Sequence, residues 1–330
     1  MINLAVIGTN WISEKFVEAA LQSGHFHLKA VYSRRLESAH SFAQPHQSPD
    51  CNFYKDLEKL GMDKTIDAVY IASPNSLHCE QALLMMQYGK HVICEKPIAS
   101  NLDSATIMYN SAQEHNVILF EAFKTEFLPN FKELKKTIPT IGKLRNASLS
   151  YCQYSSRYQK YLNGENPNTF NPAYSNGSIM DIGFYCVSAA VSLFGKPENI
   201  QANAKLLDSG VDAHGTAIFE YPNFLVTIEH SKVSDGNNVS EIQGEDGMIL
   251  INEISECNSF SIQKRGSKPQ VIEVEQESNS MIYEASVFAE QIHAGSMNPS
   301  FVERSLAVSE VITEIRRQTG VTFPADKPSA

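Results

Sequence analysis

The first 120 residues alternate between short apolar runs and segments in which apolar residues recur at helical spacing. The apolar runs predict strands at residues 2–7, 28–32, 66–72, 91–94 and 117–120. The amphipathic segments predict helices at residues 13–23, 36–43, 78–88 and 102–115. Neighbouring parallel strands need a crossover, which a helix supplies, so this alternation predicts a doubly wound α/β domain with a parallel sheet.

The pattern changes after about residue 121. Apolar runs joined by Gly, Asn and Pro turns predict strands at residues 147–154, 216–220, 225–230, 248–251 and 260–263. Helical spacing returns at residues 179–194, 282–293 and 301–318. We therefore expect a first domain at residues 1–121. An α+β domain with a large, mostly antiparallel open sheet should follow at 122–330, and its last helix, 301–318, could pack back on the first domain.

Charge and composition exclude several classes of partner. The 27 basic and 37 acidic residues give a net charge of −10, which disfavours nucleic acid. The amino terminus has no basic leader and no apolar stretch approaches the roughly 20 residues that span a bilayer, so we expect a cytoplasmic protein without a membrane partner. Six scattered cysteines and the absence of a His-Glu-x-x-His motif predict neither a disulfide framework nor a metal site.

The turn between the first strand and the first helix is the first candidate binding element. It consists of Gly8, Thr9, Asn10, Trp11, Ile12 and Ser13. A dinucleotide fingerprint has glycine at the first, third and sixth places, and only Gly8 fits. Asn10 tolerates a positive φ and Ser13 is small, so the turn could still present helix N–H groups to a pyrophosphate. An ordinary strand-to-helix turn is the alternative.

The end of the second predicted strand indicates which cofactor is bound. Ser33, Arg34 and Arg35 stand where an acidic residue would hold the ribose 2′-hydroxyl of NAD. A hydroxyl and two guanidinium groups suit a 2′-phosphate instead, which favours NADP(H) over NAD(H). The alternative is a solvated basic start to the next helix.

Three further motifs carry candidate chemistry. Ser73, Pro74, Asn75 and His78 follow the strand at 66–72, and Glu95, Lys96 and Pro97 follow the strand at 91–94. The third motif, Gly177, Asp181, Gly183 and Tyr185, opens the helix at 179–194. Because ligands bind at the carboxyl edge of a parallel sheet, we expect the first two motifs at the cofactor.

With these motifs the chain resembles, over nearly its whole length, the family of glucose-fructose oxidoreductase and inositol dehydrogenase. The resemblance implies a Rossmann domain followed by a substrate domain, a lysine at the reaction centre, and a homodimer or homotetramer formed through the second sheet. Tyr185, where the inositol dehydrogenase branch has histidine, is similar to the branch of glucose-fructose oxidoreductase, dimeric dihydrodiol dehydrogenase and NADP-linked xylose dehydrogenase. The expected substrate is a sugar, a polyol or a related cyclic alcohol.

Lys96 and Tyr185 also make chemical sense as a pair. An ammonium near a phenol stabilises the phenolate, so Tyr185 could take the proton of an alcohol while hydride leaves for the nicotinamide, and Lys96 would polarise the oxygen. Asp181 lies one helical turn from Tyr185 and is expected to position the substrate. The structural alternatives are a surface lysine, a core tyrosine and a carboxylate that favours the helix start.

Two points stay open in the sequence. His78 and Asn75 could contact the cofactor or merely cap the following helix. Glu126 stands where related enzymes often carry arginine, and we expect its negative charge to disfavour anionic substrates. The alternative function is a catalytically silent protein of the same fold that senses NADP or a sugar and regulates a partner.

Overall fold

The computed structural model describes residues 1–46, 48 and 50–327. The described chain forms two compact units, each made of two stretches. Met1–Lys124 and Glu277–Glu303 form the first unit, and Thr125–Gln276 with the chain from Arg304 onward forms the second. The boundary between residues 121 and 122 therefore remains a proposal, and residues 328–330 of the predicted second domain lie outside the described residues.

The first unit contains a six-stranded parallel sheet. Its strands are β1 (Ile2–Ile7), β2 (Phe26–Tyr32), β3 (Asn52–Tyr54), β4 (Ala68–Ile71), β5 (His91–Glu95) and β6 (Leu119–Ala122), in the order β3-β2-β1-β4-β5-β6. The predicted doubly wound sheet is confirmed. Sequence reasoning missed β3 because its three residues are exposed or half-buried and make no apolar run.

Helices cross between these strands. They are α1 (Trp11–Gln22), α2 (Leu36–Ala43), α3 (Leu57–Met62), α4 (His78–Gln87) and α5 (Leu102–Glu114). Side-chain caps fix where several of them begin: Asn101, for example, accepts a hydrogen bond from the N–H of Ser104 at the start of α5. The helices pack on the sheet through fully buried aromatic rings, such as Phe16 stacked on Tyr70 with centroids 3.9 Å apart.

The second unit contains an eight-stranded sheet. Its strands are β7 (Leu144–Cys152), β8 (Asn199–Leu206), β9 (Asp212–Tyr221), β10 (Phe224–Ser231), β11 (Val239–Gly244), β12 (Gly247–Asn252), β13 (Ser259–Lys264) and β14 (Gln270–Ile272). The order is β14-β13-β12-β11-β7-β10-β9-β8, and every pair is antiparallel except β7 with β10. The mostly antiparallel sheet is thus confirmed, although β8, β11 and β14 were not predicted.

Five helices come after β6 along the described chain. They are α6 (Pro129–Thr137), α7 (Tyr158–Leu162), α8 (Phe184–Phe194), α9 (Met281–Ala294) and α10 (Pro299–Thr319), of which α9 belongs to the first unit. Residues Ile179–Gly183 form a single π-helical turn ahead of α8. The predicted helix at 179–194 is therefore two pieces with different winding.

Strand β9 shows how the second sheet separates its two faces. From Ala213 onward its buried residues alternate with exposed ones, so Ala217 and Phe219 face the covered side while Thr216 and Ile218 face outward. The helix α8 packs on strands β7 and β10 from the covered side. The other face of the sheet is thus exposed and carries both polar and apolar side chains.

One helical segment is long and apolar enough to cross a membrane by length and composition. It is Pro172–Phe194, 23 residues with a mean hydropathy of 1.5, and 72% of its apolar window is buried inside the fold. The expectation that no apolar stretch approaches about 20 residues was therefore wrong for this segment. A buried core helix passes the same test, so the segment is weak evidence for a membrane span.

Candidate active site

Gly8 lies where the strand order of the first sheet reverses, between β1 and β4. Its φ is +112°, and a Cβ atom built on it would be 2.8 Å from the carbonyl oxygen of Ala72 at the end of β4. The side-chain amide of Asn10 donates a hydrogen bond to the same carbonyl at 2.9 Å. Only glycine fits the first place of this turn, which lies at the crevice where open α/β sheets bind ligands.

Asn10 acts differently from the sequence-based expectation. Its φ is −96°, an ordinary extended conformation, so the idea that it replaces glycine through a positive φ was wrong. Its side-chain oxygen instead accepts hydrogen bonds from the N–H groups of Ile12 at 3.0 Å and Ser13 at 3.1 Å. Asn10 is the N-cap of α1, while the fully buried Ser13 permits close packing of helix and strand.

Trp11, the only tryptophan, is the first residue of α1. Its side chain is 66% exposed, and the ammonium of Lys15 lies 6.0 Å from the ring centroid. The ring therefore does not pack into the turn. It stands at the surface next to Gly8, Thr9 and Asn10.

The basic pair after β2 is held at the sheet edge by backbone contacts. The N–H of Ser33 donates to the carbonyl of Tyr54 in β3 at 3.0 Å, and the Ser33 hydroxyl accepts a hydrogen bond from the N–H of Arg35 at 3.4 Å. The side chains of Arg34 and Arg35 are exposed. Two guanidinium groups thus face solvent at the carboxyl end of β2.

His78 braces two of the turns at the same edge of the sheet. The buried ring lies 2.9 Å from the carbonyl oxygen of Ser73 through Nε2 and 2.9 Å from that of Pro97 through Nδ1. Burial lowers the pKa of His78 in spite of these two carbonyl contacts. Helix α4 begins without a side-chain cap, so the alternative that His78 caps it was wrong.

Lys96 is placed by the residue before it. The carboxylate of Glu95 accepts a hydrogen bond from the hydroxyl of Tyr70 at 2.6 Å and one from the N–H of Lys96 at 3.3 Å. Burial raises the pKa of Glu95, and the Tyr70 hydrogen bond and the charge of Lys96 oppose that rise. The peptide bond from Lys96 to Pro97 is cis. Glu95 therefore acts behind Lys96, as an anchor for the turn that presents the lysine.

In the second unit, Gly177 lies directly against Asp212, the first residue of β9. The φ of Gly177 is +139°, and a Cβ atom on it would be 2.3 Å from Oδ1 of Asp212. The other carboxylate oxygen accepts the N–H of Ile179 at 2.6 Å. Burial raises the pKa of Asp212 to about 6, although the backbone N–H donors act in the opposite direction. Asp212 thus anchors the start of the π-helical turn.

Gly183, at the other end of that turn, lies against His230 of β10. A Cβ atom on Gly183 would be 3.0 Å from the imidazole ring. The ring Nδ1 lies 2.8 Å from the hydroxyl of Ser178, and burial lowers the pKa of His230 to about 3, so the ring is neutral. The two glycines of the motif are required because two buried polar side chains of the sheet lie beneath them.

Tyr185 and Asp181 lie over the carboxyl ends of β7 and β10, the one parallel pair in this sheet. The ring of Tyr185 packs on that of Tyr151 in β7, with centroids 5.9 Å apart. Asp181 forms an ion pair with Lys232, the residue that follows β10. The lysine side chain is 8% exposed and the aspartate side chain 35%. The second unit thus holds a tyrosine packed on β7 and a carboxylate–ammonium pair at the end of β10.

Sequence reasoning missed the buried partners of this motif. Asp212, His230 and Lys232 lie between 33 and 52 residues along the chain from the groups they contact. Polar residues at the end of an apolar strand, such as His230 and Lys232 after Ile228, were the available signal. The sequence does not say which strands lie beside each other, so that signal pointed to no particular partner.

Matches to two family models establish the family of this chain. Residues 2–123 match the family described as "Oxidoreductase family, NAD-binding Rossmann fold", and residues 131–250 match the "GFO/IDH/MocA C-terminal domain". The chain belongs to the GFO/IDH/MocA oxidoreductase family. The resemblance drawn from the motifs is confirmed, and this member of the family is an oxidoreductase with an NAD(P)-binding Rossmann domain.

Relatives of this GFO/IDH/MocA protein match along its full length. It is 53% identical to an uncharacterized oxidoreductase of Escherichia coli, with 99% of each chain covered. It is 45% identical to the NADP(+)-dependent scyllo-inositol 2-dehydrogenase of Bacillus subtilis, over 99% of this chain and 100% of the relative. A 3-ketoreductase of Actinomadura kijaniata, solved with NADP and TDP-benzene, shares the fold with a TM-score of 0.84 at 20% identity, over 96% of this chain and 98% of the other.

The charge of Glu126 is compensated within the second unit. Its carboxylate accepts hydrogen bonds from the ammonium of Lys135 and the hydroxyl of Ser192. A guanidinium nitrogen of Arg304 lies 3.8 Å from the same carboxylate, whose side chain is 12% exposed. Three groups of the second unit thus share the negative charge of Glu126, and the expectation that it disfavours anionic substrates stays a prediction.

Thiols and metal-ligating groups add no further site in the described part of the chain. There, no group of three or more His, Cys, Asp or Glu side chains is arranged to hold a metal ion. All six cysteines are free, and burial raises the pKa of most of them, Cys51 to about 11 for example. The candidate chemistry accordingly rests on lysine, tyrosine and aspartate.

Proposed function

We propose that this oxidoreductase transfers hydride between NADP(H) and a hydroxyl-bearing carbon of a cyclic polyol or sugar. The observation that supports the proposal is the ion pair of Asp181 with Lys232, in the π-helical turn that leads directly into the helix that carries Tyr185. A phenol can exchange the proton of an alcohol, and a carboxylate and an ammonium bind neighbouring hydroxyl groups. The 45% identical relative in Bacillus subtilis is an NADP(+)-dependent scyllo-inositol dehydrogenase, which supports both the cofactor and the substrate class.

The first unit has features that fit a dinucleotide. Because Gly8 has no side chain, its backbone can come close to a pyrophosphate. Since Asn10 caps the N–H groups of Ile12 and Ser13, a phosphate would bind to N–H groups that precede them, at Thr9, Asn10 and Trp11. The bound nicotinamide supplies or accepts the hydride.

Residues of three neighbouring turns complete the proposed cofactor site. Ser33, Arg34 and Arg35 would hold a 2′-phosphate, because guanidinium groups bind phosphate through paired, charge-assisted hydrogen bonds. We propose Ser73, Pro74 and Asn75 as contacts of the cofactor at the end of β4. In this scheme His78 and Glu95 act from behind, by fixing the turns that carry Ser73 and Lys96.

The proposed catalytic roles follow from the chemistry of each side chain. In alcohol oxidation Tyr185 takes the hydroxyl proton, and in carbonyl reduction it returns a proton to the oxygen. Lys96 polarises that oxygen with its positive charge. Asp181 accepts a hydrogen bond from a neighbouring hydroxyl group and so orients the carbon from which hydride leaves.

We also propose that a second copy of the chain covers the outer face of the eight-stranded sheet. Ile218 on β9 is 41% exposed and Leu225 on β10 is 46% exposed. Thr227 lies opposite Ile218, and Leu225 has Asn146 on one side and the charged Glu220 on the other. A face of this composition is commonly buried in a homodimer or homotetramer.

A turnover screen tests the proposed function. The purified protein is assayed with scyllo-inositol, myo-inositol, D-glucose, D-xylose and trans-cyclohexane-1,2-diol, each with NADP+ and with NAD+, through the absorbance of the reduced nicotinamide. We expect turnover of at least one polyol or sugar, with higher kcat/KM for NADP+. No turnover across the panel in either direction would overturn the proposal and favour a regulatory protein that senses NADP or a sugar.

Two variants test the catalytic residues. Lys96→Ala and Tyr185→Phe should each lower kcat by roughly 100-fold or more, the usual contribution of a proton-transfer group. NADPH binding, followed by the fluorescence of Trp11, should persist in Tyr185→Phe. If Tyr185→Phe keeps wild-type kcat, the tyrosine is not the proton-transfer residue.

A further inference from the structure

Lys232 is the charged group of this face that neither the motifs nor the family resemblance assigned. It follows strand β10, and its backbone is fixed on two sides. Its N–H donates to the carbonyl of Ala213 in β9 at 2.9 Å, and its carbonyl accepts the N–H of Ser155 at 2.9 Å. The direction in which the side chain leaves the sheet is therefore set by hydrogen bonds to both neighbouring segments.

The ammonium of Lys232 is almost completely withdrawn from solvent. The side chain is 8% exposed, and in the described part of the chain its hydrogen-bond partner is the carboxylate of Asp181. An ammonium has three N–H donors. A buried donor without a partner costs free energy, so a group that supplies oxygen acceptors here would bind favourably.

A second carboxylate interacts electrostatically with the lysine. The charge of Lys232 acts on the buried Asp212, whose carboxylate is held by the N–H of Ile179. The ion-pair partner of Lys232 is the other carboxylate, Asp181, whose side chain remains 35% exposed. The pair presented toward a ligand is one donor group and one acceptor group, which is the pattern that two adjacent hydroxyl groups match.

We infer that Lys232 is a substrate-binding residue that donates hydrogen bonds to a hydroxyl group adjacent to the reacting carbon, while Asp181 accepts one from the same vicinal diol. This inference rests on the proposed function and deepens it by naming a further residue that binds the polyol. Lys232 contributes to substrate affinity, and the proton and hydride transfers do not pass through it.

The test compares Lys232→Met with Lys232→Arg. Methionine keeps an unbranched side chain of similar length without donors, while arginine restores a charged donor. With scyllo-inositol, or the panel compound of highest kcat/KM if that differs, we expect Lys232→Met to raise KM by roughly 10- to 100-fold with kcat changed less than about threefold. Such a rise is the fold-change expected when a hydrogen bond to a charged group is lost. Lys232→Arg should recover at least part of the affinity.

Two controls separate the possible outcomes. If Lys232 only binds the polyol, the KM for NADP+ and the melting temperature of Lys232→Met should stay close to wild type. A purely structural role would instead lower the melting temperature and kcat. An active wild type whose KM for the polyol is unchanged in Lys232→Met overturns this inference alone. A wild type without turnover on the whole panel overturns the proposed function, and this inference with it.

Discussion

The α-carbon of Gly177 lies so close to the buried carboxylate of Asp212 that a Cβ atom there would be 2.3 Å from Oδ1. The contact joins the loop before the π-helical turn to the first residue of β9. It fixes the segment that carries Asp181 and Tyr185 without involving either of them. The position of the proposed catalytic tyrosine therefore depends on a glycine eight residues away.

Gly177→Ala should destabilise the protein and lower kcat. A non-glycine residue at φ +139° is strained by about 1–3 kcal/mol, and the overlap with Asp212 adds about 1–3 kcal/mol more. Urea unfolding measures the change. Gly164→Ala is the matched control, because Gly164 also has a positive φ of +82° but nothing lies within 4 Å of an added Cβ atom.

Combining Gly177→Ala with Asp212→Ala checks the cause of that loss. Because the shorter side chain removes the overlap, the double variant should be less destabilised than the sum of the two single variants. Additive losses would contradict the contact as the source of the effect.

Replacing both arginines after β2 with alanine should change cofactor preference. Loss of two charge-assisted hydrogen bonds to a 2′-phosphate should lower kcat/KM for NADP+ by roughly 10- to 1,000-fold and leave that for NAD+ nearly unchanged. Steady-state kinetics with both cofactors measures the ratio. Arg265→Ala, an exposed arginine of the second unit, is the control. Equal losses with both cofactors would show that Arg34 and Arg35 do not read the 2′-phosphate.

His91 should make the stability fall in mild acid. Its Nδ1 accepts the N–H of Ile118 at 3.0 Å, and burial lowers its pKa below 6.5. The unfolded histidine binds a proton as the pH falls through about 6.5 while the folded one does not, so stability is lost between pH 7 and pH 5. His91→Gln, which accepts the same hydrogen bond without titrating, should lose less over this range.

The free energy of unfolding at several pH values tests the role of His91. His293→Gln, on an exposed histidine of α9, is the control for substitution alone. If the wild type and His91→Gln lose stability in parallel between pH 7 and pH 5, the histidine does not contribute to the acid sensitivity.

A charge on the outer face of the second sheet should weaken self-association. Leu225→Lys places an ammonium in the face proposed to meet a second copy, where burial of an unpaired charge is unfavourable. Light scattering after size-exclusion chromatography should show a smaller mass than wild type. Ile107→Lys, at a 53% exposed residue of α5 in the first unit, should leave the mass unchanged. Equal masses for all three proteins would contradict the proposed interface.

The sequence predicted the first unit better than the second because consecutive α/β crossovers leave few choices of strand order. Alternation of apolar runs and amphipathic segments was enough to place β1, β2, β4, β5 and β6. The prediction for Asn10 failed for a local reason. Its side chain gains two hydrogen bonds as a helix cap, and that gain outweighs any tendency to adopt a positive φ.

The catalytic motif was readable from its spacing, but its supporting residues were not. Gly177 and Gly183 stand out in the sequence, yet the reasons for them are Asp212 and His230, which come from strands that only the fold brings beneath the π-helical turn. Lys232 was not predicted from the sequence for the same reason. It reaches Asp181 because β10 packs against the π-helical turn, a long-range contact that no local pattern specifies.

The π-helical turn at Ile179–Gly183 limits how many residues this segment can contain. An ordinary α-helix advances by 3.6 residues per turn, so the loss of one residue would rotate everything after it by about 100°. Tyr185 would then leave the ring of Tyr151 and face another direction. Insertions and deletions there should therefore be rare in relatives that keep this chemistry.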